Sequence, residues 1–251
     1  MVASSLFIEA KQTLFISDGL KQQVRITLSP ENHQTSLCFL FDLHHVLFKH
    51  TENPYTSSAL KVENKIIFTL QAVRASVSPT FWKNFKKLRK QKNKVTEAYV
   101  SALKKYPTLH KGLLTFMNDL YVPDTTMEQY TQELKGQGHR LYLLSNIGPD
   151  LLTDLQQRHP TFFKHFDRQQ NTINYQAYQK NIWVSKPHVE AYQHALQEIS
   201  MQDQACFCVF VDDKPENITG ACKAGLNAIL FVSPEQFKQD VRRLLNFIKT
   251  K

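Results

Sequence analysis

The chain has 251 residues, of which 42% are hydrophobic and 11% aromatic, so it can bury the core of one large domain or of a domain with an insertion. The 31 Lys and Arg residues outnumber the 22 Asp and Glu residues, and the formal net charge of +9 favours an anionic ligand or surface. No stretch approaches the roughly 20 apolar residues of a membrane span, and residues 1–18 lack the features of a signal peptide. We therefore expect a cytoplasmic protein without a transmembrane segment.

The beginning of the chain contains two alternating, β-leaning pieces, the first at 6–8 together with 13–16 and the second at 24–28. The dipeptide Asp18-Gly19, which is typical of turns, lies between them. This pattern predicts an N-terminal extension over 1–36 that contains a β-hairpin.

A long helical pattern occupies the middle of the chain. Apolar residues recur near 3.6-residue spacing from 57 to 121, which predicts a helical insertion. The polar stretch 49–55 before it contains Pro54 and is predicted to be a loop. The ranges 37–56 and 122–251 on either side are predicted to form the core.

Four apolar runs in the core have the length of strands that are buried on both faces of a sheet. The runs are 37–41, 139–144, 206–211 and 227–232. Helical patterns separate the last three runs, which is typical of βαβ units. The sequence therefore predicts a Rossmann-like α/β core, built on a mostly parallel sheet, with an inserted helical domain.

Polar residues follow three of these runs, where the carboxyl ends of parallel strands meet at one edge of the sheet. They are Asp42, the pair Ser145-Asn146 and the pair Asp212-Asp213, and Lys186 precedes a further predicted helix. Carboxylates from two strand ends can share a hard cation, and a hydroxyl, backbone N–H groups and an ammonium can hold phosphate oxygens. In that arrangement Asp42 would attack phosphorus, and water would hydrolyse the resulting acyl phosphate.

Four segments resemble the motifs of the haloacid dehalogenase superfamily, in the subclass with an α-helical cap between motifs one and two. The segments are FDLHHVL at 41–47, LSN at 144–146, SKP at 185–187 and VDDKPEN at 211–217. By this resemblance 57–121 is the cap, and Asp42 is the nucleophile and a ligand of Mg²⁺. The resemblance also implies roles for further residues: Ser145 and Asn146 bind the phosphoryl group, Lys186 offsets negative charge, Asp212 and Asp213 bind magnesium, and Asn217 supports their loop.

The resemblance breaks two residues after the nucleophile, where most phosphatases of the family have an aspartate as general acid and base and this chain has His44. The backbone carbonyl at that position normally binds the metal, so His44 is a predicted magnesium ligand, and its imidazole is the candidate catalytic proton donor. The next residue is His45 instead of the usual glycine, which tolerates backbone conformations that histidine resists.

These two histidines leave two alternatives to a phosphatase. One is a catalytically weak binding protein of the same fold, which uses a basic cap to engage a protein, a membrane or a polyanion. The other is a dehalogenase-type hydrolase of carbon–halogen bonds. Since dehalogenases need no magnesium, the acidic pair Asp212-Asp213 favours the phosphatase, and a phosphorylated small molecule or a phosphoprotein is the expected substrate.

Two further patterns concern other ligands. In the segment 81–94 an apolar stripe is surrounded by Lys and Arg without one acidic residue, so an acidic membrane surface or a polyanion could bind there unless the basic face is merely solvated. We expect no zinc site at His44, His45 and His50, because successive side chains of an extended chain point to opposite sides.

Overall fold

The computed structural model describes residues 12–15, 23–26, 36–51, 70, 73–74, 77–90, 103–167, 185–201, 205 and 207–249. Much of the helical insertion predicted over 57–121 lies outside these residues, namely 57–69, 71–72, 75–76 and 91–102. Within them, no helix combines the length and the apolar character that crossing a membrane requires.

Strands and helices alternate over the described core. The strands are β1 Gln12–Phe15, β2 Gln23–Ile26, β3 Cys38–Phe41, β4 Phe48–His50, β5 Tyr121–Pro123, β6 Arg140–Leu143, β7 Cys208–Asp212 and β8 Asn227–Leu230. The helices are α1 Pro79–Lys90, α2 Pro107–Asp119, α3 Thr125–Gly136, α4 Pro149–Arg158, α5 Pro160–Phe163, α6 Val189–Glu198, α7 Pro215–Lys223 and α8 Pro234–Lys249.

A parallel sheet of four strands forms the core, in the order β6-β3-β7-β8. This confirms the predicted α/β fold with a mostly parallel sheet. The central strand β3 is fully buried, and its side chains alternate between two apolar clusters. Phe39 and Phe41 pack in one cluster, whereas Cys38 and Leu40 pack in the other. Because both faces are covered, the strand appears in the sequence as an unbroken apolar run.

Helices supply the cover on each face of the sheet. Met127 of α3, Leu152 of α4 and Phe237 of α8 pack in the cluster that contains Phe39. Tyr192 of α6 and Ile218 of α7 pack in the cluster on the opposite face. The core is therefore a three-layer α/β/α arrangement, which leaves the carboxyl ends of the strands open to a ligand.

Two short antiparallel pairs lie outside this sheet. Strands β1 and β2 pair with each other, and so do β4 and β5. The loop predicted from residue 49 onwards is therefore wrong for Lys49 and His50, which belong to β4. Both side chains are exposed, so this strand has no apolar run that the sequence could reveal.

The chain between β4 and β5, called the insertion below, contains α1 and α2. Helix α2 is tied to α4 of the core by polar contacts. The Arg158 guanidinium lies 2.6 Å from a carboxylate oxygen of Asp119, and Asn118 Nδ2 donates to the Leu151 carbonyl at 3.1 Å. The last helix of the insertion is thus fixed beside the helix that follows β6.

Candidate active site

The nucleophile candidate Asp42 and the acidic residue Asp212 lie side by side at the carboxyl edge of the sheet. Strands β3 and β7 pair with Phe41 opposite Val211, so the residues that follow these two are neighbours. The Asp42 backbone N–H donates to the Val211 carbonyl at 2.8 Å. The pairing of two parallel strands thus creates a buried pair of carboxylates.

Lys186 lies between these two carboxylates. Its Nζ is 2.9 Å from Asp42 Oδ1 and 2.6 Å from Asp212 Oδ2, and the lysine side chain is only 1% exposed. Burial acts to raise the pKa of Asp42, but the Lys186 charge and hydrogen bonds from Lys186, Ser145 and the Leu43 backbone outweigh it and hold the pKa below its ordinary value. Asp42 is therefore ionised near neutral pH, as a nucleophile must be.

Asp212 is held by a set of donors within the protein. The Lys214 backbone N–H donates to Oδ1 at 2.9 Å, and Asn217 Nδ2 lies 2.9 Å from both carboxylate oxygens. Burial raises the pKa of Asp212, and the neighbouring Asp42 charge adds to this, while Lys186 opposes it. Asn217 thus supports the acidic loop from the first turn of α7.

Asp213 has a different environment. Its Oδ1 is buried and has no hydrogen-bond partner among the described residues. Carboxylate oxygens of Asp42, Asp212 and Asp213 all lie within 4.8 Å of one another. Three carboxylates at this separation, one with an unsatisfied buried oxygen, fit a hard cation that prefers oxygen ligands, such as Mg²⁺.

Ser145 and Asn146, which follow β6, lie beside Asp42 and Lys186. Ser145 is buried, and its hydroxyl hydrogen-bonds the Asp42 carboxylate. Asn146 Nδ2 donates to the Lys186 carbonyl at 2.9 Å, and its Oδ1 accepts from the Lys186 backbone N–H at 3.0 Å. The Asn146 amide therefore fixes the backbone of the lysine, a role that the sequence did not predict.

The histidines after the nucleophile contact Tyr121, the first residue of β5. The rings of His44 and His45 lie 4.2 and 5.6 Å from the Tyr121 ring. His45 has a φ of 65°, in the left-handed region, so the chain turns here and is not extended. The expectation that the two side chains point to opposite sides is therefore wrong, although the described residues include no group of metal ligands that contains these histidines.

Tyr121 is a site residue that the sequence analysis missed. Burial raises the pKa of its hydroxyl, and the Asp213 charge raises it further, so the ring lies close to the acidic cluster. His50 of β4 also packs against Tyr121, at 4.5 Å between ring centroids. The β4–β5 pair thus forms one wall of the site. Tyr121 reaches this wall only because its strand, β5, pairs with β4.

A second layer of contacts positions the acidic loop and Lys186. The Tyr192 hydroxyl donates to the Asn217 carbonyl at 2.6 Å. Gly220 lies against the Lys186-Pro187 segment, where an added Cβ would overlap the Pro187 carbonyl oxygen and lie 2.9 Å from Tyr192 Cε2. Helix α7 can approach this closely only because residue 220 has no side chain.

The comparison with known families agrees with this geometry. A family model described as a haloacid dehalogenase-like hydrolase matches residues 28–225. The chain belongs to the haloacid dehalogenase-like hydrolase family. The match confirms the family that the four motifs predicted.

One curated relative of this haloacid dehalogenase-like hydrolase is sesquiterpene phosphatase astK from Aspergillus oryzae. The two are 34% identical over 110 residues, which are 41% of this chain and 48% of the relative. The chain thus matches about half the length of that relative.

Three solved structures are similar to this chain over most of its length, at TM-scores of 0.43 to 0.49. A protein described as a predicted HAD-like family hydrolase, from Porphyromonas gingivalis, is 18% identical with a TM-score of 0.49, and the alignment covers 84% of this chain and 98% of that one. A HAD family enzyme from Bacteroides thetaiotaomicron, in complex with magnesium and inorganic phosphate, is 18% identical with a TM-score of 0.43 and covers 77% and 92% of the two chains. A dehalogenase is 16% identical with a TM-score of 0.46, covering 78% and 84%.

Every site residue predicted from the sequence lies at this edge of the sheet. They are Asp42, His44, Ser145, Asn146, Lys186, Asp212 and Asp213. Their catalytic, substrate-binding and metal-binding roles, and the cap subclass, stay predictions.

Proposed function

We propose that this hydrolase is a magnesium-dependent phosphatase, which transfers the phosphoryl group of a phosphomonoester to Asp42 and then to water. The carrying observation is the group of three carboxylates of Asp42, Asp212 and Asp213, in which Asp213 Oδ1 is buried and has no hydrogen-bond partner among the described residues. A cluster with this much negative charge is costly to bury unless a cation neutralises it. A hard cation bound there can in turn hold an anion.

In the first half-reaction an ionised Asp42 oxygen bonds to phosphorus as the bond from phosphorus to the ester oxygen breaks. Ser145 and Lys186 hold phosphoryl oxygens, and the His44 imidazolium gives its proton to the departing oxygen. Asp42, Asp212, Asp213 and the backbone carbonyl of His44 would hold Mg²⁺, which supplies positive charge against the phosphoryl group.

In the second half-reaction water attacks phosphorus of the aspartyl-phosphate. The now neutral His44 accepts a proton from that water, and inorganic phosphate leaves with Asp42 restored as a carboxylate. Asn146 and Asn217 act on the same steps indirectly, since one fixes the backbone of Lys186 and the other holds the Asp212 carboxylate.

The substrate is a phosphorylated small molecule or a phosphoprotein. The name of the Aspergillus oryzae relative makes sesquiterpenoid monophosphates the first class to assay. Sugar phosphates, nucleotides and phosphopeptides complete the screen, each with magnesium and with a chelator.

The decisive test measures phosphate release from p-nitrophenyl phosphate and from the best substrate of that screen. Turnover should require magnesium and vanish in Asp42→Asn, because an amide neither attacks phosphorus nor binds the cation well. Glu190→Gln is the matched control, since it removes an exposed carboxylate from α6 and should leave turnover unchanged. Full activity in folded Asp42→Asn would end the proposed mechanism.

A further inference from the structure

Exposed apolar side chains are concentrated in one part of the insertion. Five large hydrophobic residues among those described are markedly exposed, and four of them fall between 70 and 82. These four are Leu70 at 65%, Val73 at 58%, Val77 at 72% and Trp82 at 43% exposure. Single exposed apolar residues are ordinary, but four in 13 consecutive positions indicate a surface that is covered in use.

Local structure places these residues beside the start of α1. The Val77 N–H donates to the Val73 carbonyl, which makes one helical turn, and Ser78 then accepts from Phe81 N–H at the beginning of α1. Phe81 is buried and packs against Tyr106, so it anchors the helix. The adjacent Trp82 therefore lies on the outward side of the same turn.

The same stretch of the chain is strongly basic. Arg74, Lys83 and Lys86 are exposed, and Lys86 lies four residues after Trp82, on the same face of α1. From 64 to 96 the sequence contains no Asp or Glu and nine Lys or Arg residues, namely Lys65, Arg74, Lys83, Lys86, Lys87, Arg89, Lys90, Lys92 and Lys94.

We propose that this surface, formed by Leu70, Val73, Arg74, Val77, Trp82, Lys83 and Lys86, docks the enzyme on a membrane that contains anionic lipid. The apolar side chains would enter the interface, and the cations would meet the lipid phosphates. A nucleic acid would use the basic residues but gain little from exposed Leu and Val. A second copy of the chain would bring two surfaces of the same charge together.

Vesicle co-sedimentation of the full chain tests this proposal. The protein should bind vesicles of phosphatidylcholine mixed with phosphatidylglycerol, bind phosphatidylcholine alone far less, and dissociate as salt is raised. Each Lys near an anionic surface contributes about 1 kcal/mol, so Lys83→Gln combined with Lys86→Gln should weaken partitioning about 30-fold. Lys223→Gln combined with Arg242→Gln removes the same charge from exposed sites on α7 and α8 and should have little effect.

A matched pair of valines tests the apolar part. Val77 and Val232 are 72% and 70% exposed, but only Val77 belongs to the proposed surface. Val77→Ser should weaken vesicle binding, whereas Val232→Ser should not. In a Trp183→Phe background, the fluorescence of Trp82, then the sole tryptophan, should shift to shorter wavelength with anionic vesicles.

Three results would overturn the proposal. They are the absence of salt-sensitive vesicle binding, binding to heparin or RNA without binding to vesicles, and a dimer in solution that Trp82→Ala converts to a monomer. Turnover of p-nitrophenyl phosphate is measured in parallel, so a failure of docking is distinguished from a failure of the proposed chemistry.

Discussion

The Lys186 ammonium nitrogen lies 2.9 Å from Asp42 Oδ1, and the lysine side chain is almost completely buried. The same nitrogen reaches Asp212, so one cation is shared between two buried carboxylates. Neither acid would be stable as a buried anion without it.

Lys186→Met should therefore affect both stability and the pH profile. Removing one partner of a buried ion pair typically costs about 3–5 kcal/mol, and urea unfolding of the metal-free protein measures this loss. Without the lysine, burial dominates and the pKa of Asp42 rises, so the acidic limb of the activity profile should move to higher pH. If Asp42→Asn in the Lys186→Met background recovers no stability, the loss has a cause other than the uncompensated carboxylate.

Magnesium should stabilise the protein through Asp213. At a magnesium concentration about ten times the dissociation constant, binding adds about 1.4 kcal/mol, which for a chain of this size raises the melting temperature by about 3–6 °C. Asp213→Asn should lose most of this shift, because the amide presents either a nitrogen or an uncharged oxygen where the carboxylate oxygen was available to the cation. Glu190→Gln is the control, and equal shifts in the parent and in Asp213→Asn would exclude Asp213 as a ligand.

The loss of rate when His44 is replaced should increase with the basicity of the leaving group. General acid catalysis is typically worth about 10² to 10⁴ in rate, and a nitrophenolate needs little of it. His44→Ala should thus slow alkyl phosphates far more than p-nitrophenyl phosphate, and His44→Asp should restore alkyl turnover in part. Equal losses on both substrates would show that only the backbone of residue 44 takes part, and alkyl activity confined to His44→Asp would favour the weakly catalytic binding protein.

His139 should make the fold sensitive to mild acid. It is buried, and its Nδ1 accepts the Leu37 backbone N–H at 3.1 Å, so that nitrogen carries no proton. Burial lowers the pKa of His139, so the unfolded chain binds a proton near pH 6.5 that the folded protein excludes. The stability that neutral His139 contributes is therefore present above about pH 6.5. Below that pH the free energy of unfolding falls by up to about 1.4 kcal/mol per pH unit.

The measurement is urea unfolding of the parent and of His139→Gln on both sides of pH 6.5. The glutamine can still accept from Leu37 but does not titrate, so its stability should fall less in acid. His159 and His165 also have pKa values lowered by burial and are present in both proteins, so the difference in slope reports His139. Parallel slopes would contradict the assignment.

The sequence predicted a mostly parallel sheet and the position of the acidic residues at the ends of its strands. Apolar runs that end in Asp42 and in Asp212 are recognisable because both faces of these strands are covered, and parallel pairing then brings their ends together. For the same reason Ser145 was placed correctly at the end of β6.

The remaining features depend on contacts between distant loops, which no local pattern encodes. Asn146 bonds the backbone of a residue 40 positions away, and Tyr121 reaches the site only because β5 pairs with β4. The left-handed backbone of His45 was signalled only by the resemblance, in which the usual residue at this position is glycine.

Gly220 carries no charge and offers no side chain to a substrate, yet a methyl group there would press on the segment that holds Lys186. A mutational scan that scored only lost turnover would rank this position beside Asp42. Chemical rescue could not restore such a variant, because nothing reactive has been removed. At Gly220 the active site depends on the absence of a side chain, which a list of functional groups would not include.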